Sequence, residues 1–439
     1  MLSPTRRDSE EEALMLSRRK QIECTFTNSS VGFPLPSRNS NYDEDENEPL
    51  FIACLNGCDA KVQDLLQKGA KINSHDKNGW SPLYIATVFG NASTVEILLN
   101  NKDVNINLSS KDGASPLYIA CKKGHENIAR QLLDHKADVN LRNKDGASPL
   151  YVACEYGHES SMQLLLNNGA DINLCRNNGI SPLHVSSENG LSNIVKHLLL
   201  HKDVKVDLCD EGGASPLHYA CLNGHENIVQ LLLNKGADIN LYGNNGARPL
   251  HIACKNGHED IVLLLLKNKA NANIRRADGA SPLYLACKYG HESTVQLLLE
   301  NGADINLCRK DGVSPLNVTS AKGYSNIAKH LLLNKDVKVD IPDEHGASPL
   351  YYACLKGHEN IVQLLLNKGA DINLCSDNGA SPLFIACQNG HEDTVLLLLN
   401  NEADVNIERK DGATPFFIAS KHGHDGVLRI LQNNYVNIN

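Results

Sequence analysis

The sequence has no excess of positive charge and no long apolar run. Among its 439 residues, Asp and Glu outnumber Lys and Arg by 51 to 42, which gives a formal net charge of −9. The lysines are scattered and form no strongly basic stripe, so the composition argues against general nucleic-acid binding. The longest leucine-rich runs contain four to six residues, whereas a helix that crosses a bilayer needs about 20 apolar residues. The first residues also lack the apolar core of a signal peptide, so we expect no membrane span.

The sequence also lacks the Cys-x-x-Cys pairs that hold structural zinc, although it contains 14 cysteines. Eight of them stand five residues after a proline: Cys54, Cys121, Cys154, Cys221, Cys254, Cys287, Cys354 and Cys387. Four others share a second recurring position: Cys175, Cys209, Cys308 and Cys375. Because Ser or Thr replaces Cys at the first position elsewhere, as at Thr87 and Ser187, that position favours a small buried side chain over a disulfide. We therefore predict reduced thiols and a cytoplasmic protein, with the nucleus as the alternative location.

Motifs of catalysis are missing as well. The sequence contains no GxxxxGK[ST] phosphate loop, no GxGxxG after a strand and no GxSxG nucleophile elbow. His-Glu occurs seven times, but none of these histidines has the second His, four residues later, that a zinc-protease helix requires. We therefore interpret this recurring His as a structural residue, and we predict no enzyme, no metal and no cofactor.

Proline recurs at steps of 33 residues, three times lengthened to 34, and divides the chain into twelve units. Such self-similarity is typical of a repeat architecture. We number the units by their prolines, in chain order from 1 to 12: Pro49, Pro82, Pro116, Pro149, Pro182, Pro216, Pro249, Pro282, Pro315, Pro349, Pro382 and Pro415.

Each unit has the signals of two short helices. Nine of the prolines follow a serine and one follows a threonine, which are good N-cap residues before a proline at the first helical position. A glycine eight residues after each proline ends this first helix. A second, leucine-rich helix follows, and another glycine three residues before the next proline indicates a tight turn. Helices this short are unstable alone, so the units must stack into a solenoid.

The segment Ser215–Asn240, SPLHYACLNGHENIVQLLLNKGADIN, resembles the ankyrin repeat, whose hallmark is the T-P-L-H-x-A core. The resemblance extends over all twelve units and implies an all-α, elongated and curved solenoid in which β-hairpin-like loops join helix pairs. We assign residues 48–439 to this repeat domain. Residues 1–47 do not repeat, are polar and acidic, and are predicted to be disordered, with Ser3 as an accessible phosphorylation candidate.

The resemblance also implies where partners bind. In ankyrin proteins partners lie across the groove that hairpins and first helices form. Carried over by position, this gives as candidate binding residues Trp80, Phe89, Lys122, Lys123, Tyr156, Lys288 and Tyr289. For Trp80 the alternative is that it seals a weakly matching first repeat against water. Ankyrin domains also resemble substrates of asparaginyl hydroxylases, for which the candidate sites are Asn173, Asn240, Asn306 and Asn373.

A longer period of 133 residues, or four units, is superimposed on the repeat and suggests duplication of a four-unit block. The three 34-residue units, numbers 2, 5 and 9, carry Lys-Asp-Val where most others have Gly-Ala-Asp. The loss of this glycine should lengthen or re-aim the exit from the second helix. Two interpretations stay open: neutral drift of a surface loop, or an interruption of the stack that marks a zone of partner contact.

Together these observations predict a monomeric scaffold or adaptor that binds partner proteins in signalling. Three alternatives stay open. The chain could be a targeting subunit of a phosphatase or ubiquitin ligase, a membrane-skeleton linker, or a part of a channel or kinase.

Overall fold

The structure, a computed structural model, describes residues 48–438 and the side chains of 49–433. Predictions for residues 1–47, including Ser3, lie outside the described residues. The described part contains 24 helices and no strand, with two helices in every unit. In chain order they are α1 Glu48–Leu55, α2 Asp59–Gln67, α3 Pro82–Val88, α4 Ala92–Leu99, α5 Pro116–Lys123, α6 Glu126–Asp134, α7 Pro149–Tyr156, α8 Glu159–Asn167, α9 Pro182–Glu188, α10 Ser192–Leu200, α11 Pro216–Asn223, α12 Glu226–Asn234, α13 Pro249–Asn256, α14 Glu259–Lys267, α15 Pro282–Tyr289, α16 Glu292–Glu300, α17 Pro315–Lys322, α18 Ser325–Leu333, α19 Pro349–Lys356, α20 Glu359–Asn367, α21 Pro382–Asn389, α22 Glu392–Asn400, α23 Pro415–His422 and α24 Asp425–Ile438.

The first helix of each unit begins where the Ser-Pro signal predicts it. In unit 8, the Oγ of Ser281 accepts a hydrogen bond from the backbone N–H of Tyr284 at 3.1 Å, and Pro282 is the first helical residue. The bond satisfies one of the amides that a helix start leaves without a partner. The same cap forms at Ser81, Ser115, Ser148, Ser348, Ser381 and Thr414.

The glycine that ends the first helix also makes room for the next unit. Gly257 has a φ of +71°, and a Cβ added there would lie 2.4 Å from Nδ1 of His291 in unit 8. The Nε2 of the same His291 ring hydrogen-bonds the backbone carbonyl of Lys255 at 2.9 Å. The recurring His, which stands just before the second helix, thus contacts and hydrogen-bonds the preceding unit. This confirms the interpretation that it is a structural residue. Equivalent bonds are made by His125, His158, His225, His258, His391 and His424.

The hairpins form a second series of links between units. In each hairpin, one backbone N–H donates to a carbonyl of the hairpin before it, as Lys310 does to Asp278 at 3.1 Å. Ten such bonds, one at each junction between successive hairpins, run along the stack with N–O distances of 2.8–3.1 Å. The loops are therefore held in register by their backbones, independently of their side chains.

A continuous apolar core fills the space between the two helix layers. Val295 and Leu298 on α16 are fully buried, as are their counterparts in the second helices of units 2 to 11. Neighbouring first helices lie closer together than neighbouring second helices. The stack therefore curves, with the first helices and the hairpins on its concave side.

The eight cysteines of the first recurring position are all buried, as predicted, and those of the second position are half-buried or exposed. Burial raises the pKa of the Cys287 thiol to about 12, which suppresses the reactive thiolate at neutral pH. We expect a thiol reagent to label exposed Cys58 and Cys209 rapidly in the native protein, and Cys287 only after unfolding. Peptide mass spectrometry with and without denaturant measures this, and rapid native labelling of Cys287 would contradict the packing.

Two of the three 34-residue units re-aim the chain at the end of the second helix. In units 5 and 9 the helix ends at Leu200 and Leu333, and the next residues, His201 and Asn334, are extended. These two helices have nine residues, as most second helices do, so the exit is redirected but not lengthened. In unit 2 the second helix has eight residues, and the next residue, Asn100, keeps a helical backbone conformation. Leu200 and Leu333 are each 72% exposed, at a position that is exposed in the other units as well. Whether these units contact a partner stays a prediction.

Candidate functional site

The concave face of the stack is lined by the last residues of the first helices. Phe89 and Tyr156 are each 41% exposed there. Lys123 is also exposed, whereas Lys122 is half-buried. In unit 8, half-buried Lys288 and Tyr289 occupy the same two positions on α15. Six of the seven predicted binding residues therefore share one face, although they are spread over several units.

Trp80 occupies a different environment from the other six. It lies on the hairpin before α3, is half-buried against the core, and its ring centroid is 5.5 Å from that of Tyr84. Its backbone N–H donates to the carboxylate of Asp76 at 2.8 Å. This packing agrees with the alternative in which Trp80 seals the start of the stack, and its role in binding stays a prediction.

Stacking brings a lysine from the preceding unit over each concave tyrosine. The Nζ of Lys122 is 5.6 Å from the ring centroid of Tyr156, and the Nζ of Lys255 is 5.4 Å from that of Tyr289. Lys288 adds a second ammonium group 5.7 Å from the Tyr289 ring. Such cation–π contacts hold the aromatic rings in a fixed orientation. Sequence reasoning missed Lys255, although its place six residues after a proline is the one that Lys288 occupies in the next unit.

Two carboxylates of units 4 and 5 lie on the same face. Burial, together with the neighbouring carboxylates of Glu155 and Asp210, raises the pKa of Glu188 to about 7. Burial also raises the pKa of Glu155, against the opposing effect of Arg176 and Lys122. Among the described residues Glu188 has no ion-pair partner, so burial and the nearby carboxylates disfavour its charged form.

Replacing Glu188 with Gln should therefore stabilise the protein at high pH. A carboxyl group whose pKa is raised by folding contributes stability below its ordinary value of 4.5, and that stability is lost as the pH rises through about 7. We expect the Glu188→Gln variant to be more stable than the wild type by about 1–2 kcal/mol at pH 8, after allowance for solvent access. The two proteins should converge at pH 4 in chemical denaturation, and a difference independent of pH would contradict the assignment.

Three of the four candidate asparagines are engaged between units. The Nδ2 of Asn173 donates to the carbonyl of Asp203 at 2.8 Å, and its Oδ1 accepts the N–H of Lys205 at 2.9 Å. Asn306 makes the equivalent pair of bonds one block later, and the Oδ1 of Asn373 accepts the N–H of Asp404 at 3.0 Å. Asn240 is exposed. A hydroxylase would reach the side chain of Asn240 directly, whereas the side chains of the other three asparagines would first have to break their hydrogen bonds to the next unit.

The described residues form neither a metal-ligand cluster nor a helix that could span a membrane. Within this part of the chain, no three His, Cys, Asp or Glu side chains come together as metal ligands. No described helix combines the length and the apolar character that crossing a bilayer requires. A cleft of about 550 Å³ opens between the loops of units 1 and 2, where it is lined by residues such as Leu66, Ile72 and Asp103.

Stacked helix pairs with one continuous concave face define a solenoid repeat protein. The chain belongs to the ankyrin-repeat family: the family model for ankyrin repeats, which spans three copies, matches it six times. The matched residues are 23–110, 102–174, 161–243, 240–309, 304–376 and 368–439. A search of curated protein sequences found no match to the chain. Ankyrin repeats are generally protein–protein interaction modules.

Proposed function

We propose that this protein is a non-enzymatic scaffold or adaptor that binds partner proteins along the concave face of its ankyrin stack. The observation that supports this most directly is the row of exposed aromatic and charged side chains on the first helices. Tyr156 and Tyr289 lie on short helices that are locked to both neighbouring units. Binding groups held on a rigid frame lose little conformational entropy when a partner docks, and Tyr is among the side chains that dominate binding energy at interfaces.

The uniformity of the stack favours binding over catalysis. Each unit repeats the same links to its neighbours, so the described units offer a long surface instead of one singular pocket. A targeting subunit of a phosphatase or ligase, or a membrane-skeleton linker, would use the same face and differ only in the partner. The cytoplasmic location and the monomeric state stay predictions of the sequence.

Site-specific photo-crosslinking tests the proposal. We expect benzoylphenylalanine at position 156 or 289 to crosslink to partner proteins in cells. The same probe at position 200 or 333, where an exposed leucine ends a second helix, provides the matched control for the opposite layer. Crosslinks from positions 200 and 333 alone would contradict binding on the concave face.

Alanine substitution tests the named residues separately. The variant with Ala at Trp80, Tyr156 and Tyr289 should capture less of the crosslinked partner. Because Trp80 packs on Tyr84, Trp80→Ala is also made alone, and we expect it to lower the Tm. Undiminished capture by a Tyr156→Ala, Tyr289→Ala variant with an unchanged Tm would reject these two residues as the site.

A further inference from the structure

The four-unit duplication places two related surfaces side by side on the concave face. We call units 3–6 the first block and units 7–10 the second block; equivalent residues are 133 positions apart. Tyr156 and Tyr289 are equivalent, and each lies under a lysine from the unit before it, Lys122 or Lys255. The two blocks thus share the frame and the aromatic anchor, so the positions at which they differ can be compared directly.

The differences at the concave positions change the charge. The first block carries two lysines and two glutamates at the last two positions of its first helices: Lys122, Lys123, Glu155 and Glu188. The second block carries four lysines and no acidic residue there: Lys255, Lys288, Lys322 and Lys356. Lys288 stands at the place of Glu155, and Ala321 at the place of Glu188. We call the four lysines of the second block, with Tyr289, the lysine strip.

The hairpins beside the lysine strip carry more positive than negative groups in units 8 and 9. The guanidinium group of Arg276 lies 2.7 Å from the carboxylate of Asp278. That of Arg309 lies within 3.7 Å of the carboxylates of both Asp278 and Asp311. These guanidinium groups hold the pKa of Asp278 down at about 2. In unit 10 the carboxylate of Asp343 accepts the hydroxyl of Tyr352. Positive groups therefore outnumber negative ones along the strip in units 8 and 9, within a chain whose net charge is −9, and the hairpin of unit 10 adds the carboxylates of Asp343 and Glu344 at one end.

We propose that the lysine strip binds an extended, acidic polypeptide segment. This deepens the proposed function and depends on it, because it names the partner chemistry for one part of the concave face. With units about 8–10 Å apart, the strip is roughly 30 Å long, which matches about nine residues of extended chain. Carboxylates of the partner pair with the ammonium groups, and its backbone or apolar side chains pack on the ring of Tyr289.

The glutamates of the first block confine this partner to the second. Glu155 and Glu188 occupy the places at which an acidic segment would continue, and their charges repel it there. Like charges across an interface discriminate against a wrong register by direct repulsion. An acidic peptide fits better than a nucleic acid, because the negative chain as a whole repels a long polyanion.

The test uses a fluorescein-labelled acidic peptide, five repeats of Glu-Ser, with the full-length protein. We expect saturable binding in fluorescence anisotropy that weakens as the salt concentration rises. A basic peptide of five Lys-Ser repeats and a decameric poly-U RNA are the comparison probes. Tighter binding of the RNA than of the acidic peptide would overturn the choice of partner.

The duplication supplies reciprocal variants. Lys288→Glu with Ala321→Glu copies the first block into the second, and we expect it to weaken acidic-peptide binding at least tenfold. Lys329→Glu with Lys335→Ala, which makes the same change in charge at exposed positions on and after α18 in unit 9, is the matched control and should leave binding unchanged. Equal losses from both variants would show a general charge effect and would reject the strip.

The converse variant gives a gain of binding. Glu155→Lys, Glu188→Ala, Asn189→Lys and Asn223→Lys copy the second block into the first, so the number of acidic peptides bound per chain should rise from one to two in calorimetry. An unchanged stoichiometry, or no binding of the acidic peptide to the wild type at millimolar concentration, overturns the inference. If the acidic peptide fails these tests but crosslinks at positions 156 and 289 persist, the proposed scaffold function stands and only the acidic partner is rejected. If the crosslinks are absent too, both proposals are rejected.

Discussion

Replacing His184 with Asn will make the protein more resistant to acid. His184 is buried at the start of α9, where its Nδ1 accepts the backbone N–H of Ser181 at 3.1 Å and its Nε2 hydrogen-bonds the carbonyl of Ala214 at 3.1 Å. The neutral ring satisfies both bonds, whereas a protonated ring would direct a second N–H at the N–H of Ser181. Burial accordingly lowers the pKa of His184 to about 4.

The direction of the pH effect follows from that shift. The pKa of a histidine in the unfolded chain is about 6.5, so the unfolded state binds a proton that the folded state excludes. The stability that His184 contributes is complete above pH 6.5 and is lost as the pH falls toward 4. At about 1.4 kcal/mol for each pKa unit, the loss reaches about 3 kcal/mol at pH 4.

The duplication contains the replacement already. Asn317 stands 133 residues after His184, its Oδ1 accepts the N–H of Ser314 at 3.1 Å, and its Nδ2 donates to the carbonyl of Ala347 at 3.1 Å. It makes the same two bonds without titrating. Urea denaturation at pH 7 and pH 4 should show that His184→Asn reduces the acid loss and that Asn317→His increases it. Identical pH dependence in all three proteins would contradict the assignment.

Replacing Gly257 with Ala will destabilise the middle of the stack. Alanine in the left-handed region costs about 1–2 kcal/mol, and its Cβ would lie 2.4 Å from the ring of His291. Displacing that ring breaks its hydrogen bond to Lys255, which is worth about 1 kcal/mol. We expect a total loss of about 3 kcal/mol in the free energy of unfolding.

Gly236 is the matched control for Gly257. It has a φ of +91°, but a Cβ added there meets no atom within 4 Å. Gly236→Ala should therefore show the backbone cost alone, about 1–2 kcal/mol. Adding His291→Ala to Gly257→Ala removes the obstructing ring, so the two losses should be less than additive. Equal costs for the two glycine variants would refute the steric role of the His ring.

The sequence predicted the helices because their signals are local. Ser281, Pro282 and Gly290 act within one helix, so spacing alone was enough to place its ends. The partner of His291 was not predictable in the same way. The carbonyl of Lys255 is 36 residues away, and only stacking brings the two together. The re-aimed exits at Leu200 and Leu333 depend likewise on how the loop of each unit packs against its neighbours.

The candidate site was predictable in part for the same reason. Position within the repeat identified Lys288 and Tyr289, because both belong to one helix. Lys255 was missed, since its contact with Tyr289 crosses a junction between units. The charged environment of Glu188 also joins three units, through Glu155 and Asp210. Trp80 differs from these residues, because its position on the hairpin suggested a binding role, whereas its packing against Tyr84 became visible only in three dimensions.

The bonds between successive units have a consequence for how such a chain lengthens by duplication. The hairpin bonds join the same positions at all ten junctions between successive hairpins, and the histidine bond recurs at seven junctions between units. A copied block of whole units therefore arrives with matching partners at both of its new ends. Enlargement by copying therefore preserves the architecture. The concave positions contribute only backbone carbonyls to the histidine bonds, as Lys255 does, so their side chains can change afterwards. The second block, with Lys288 where the first has Glu155, has the same arrangement of helices and hairpins as the first block but a different concave surface.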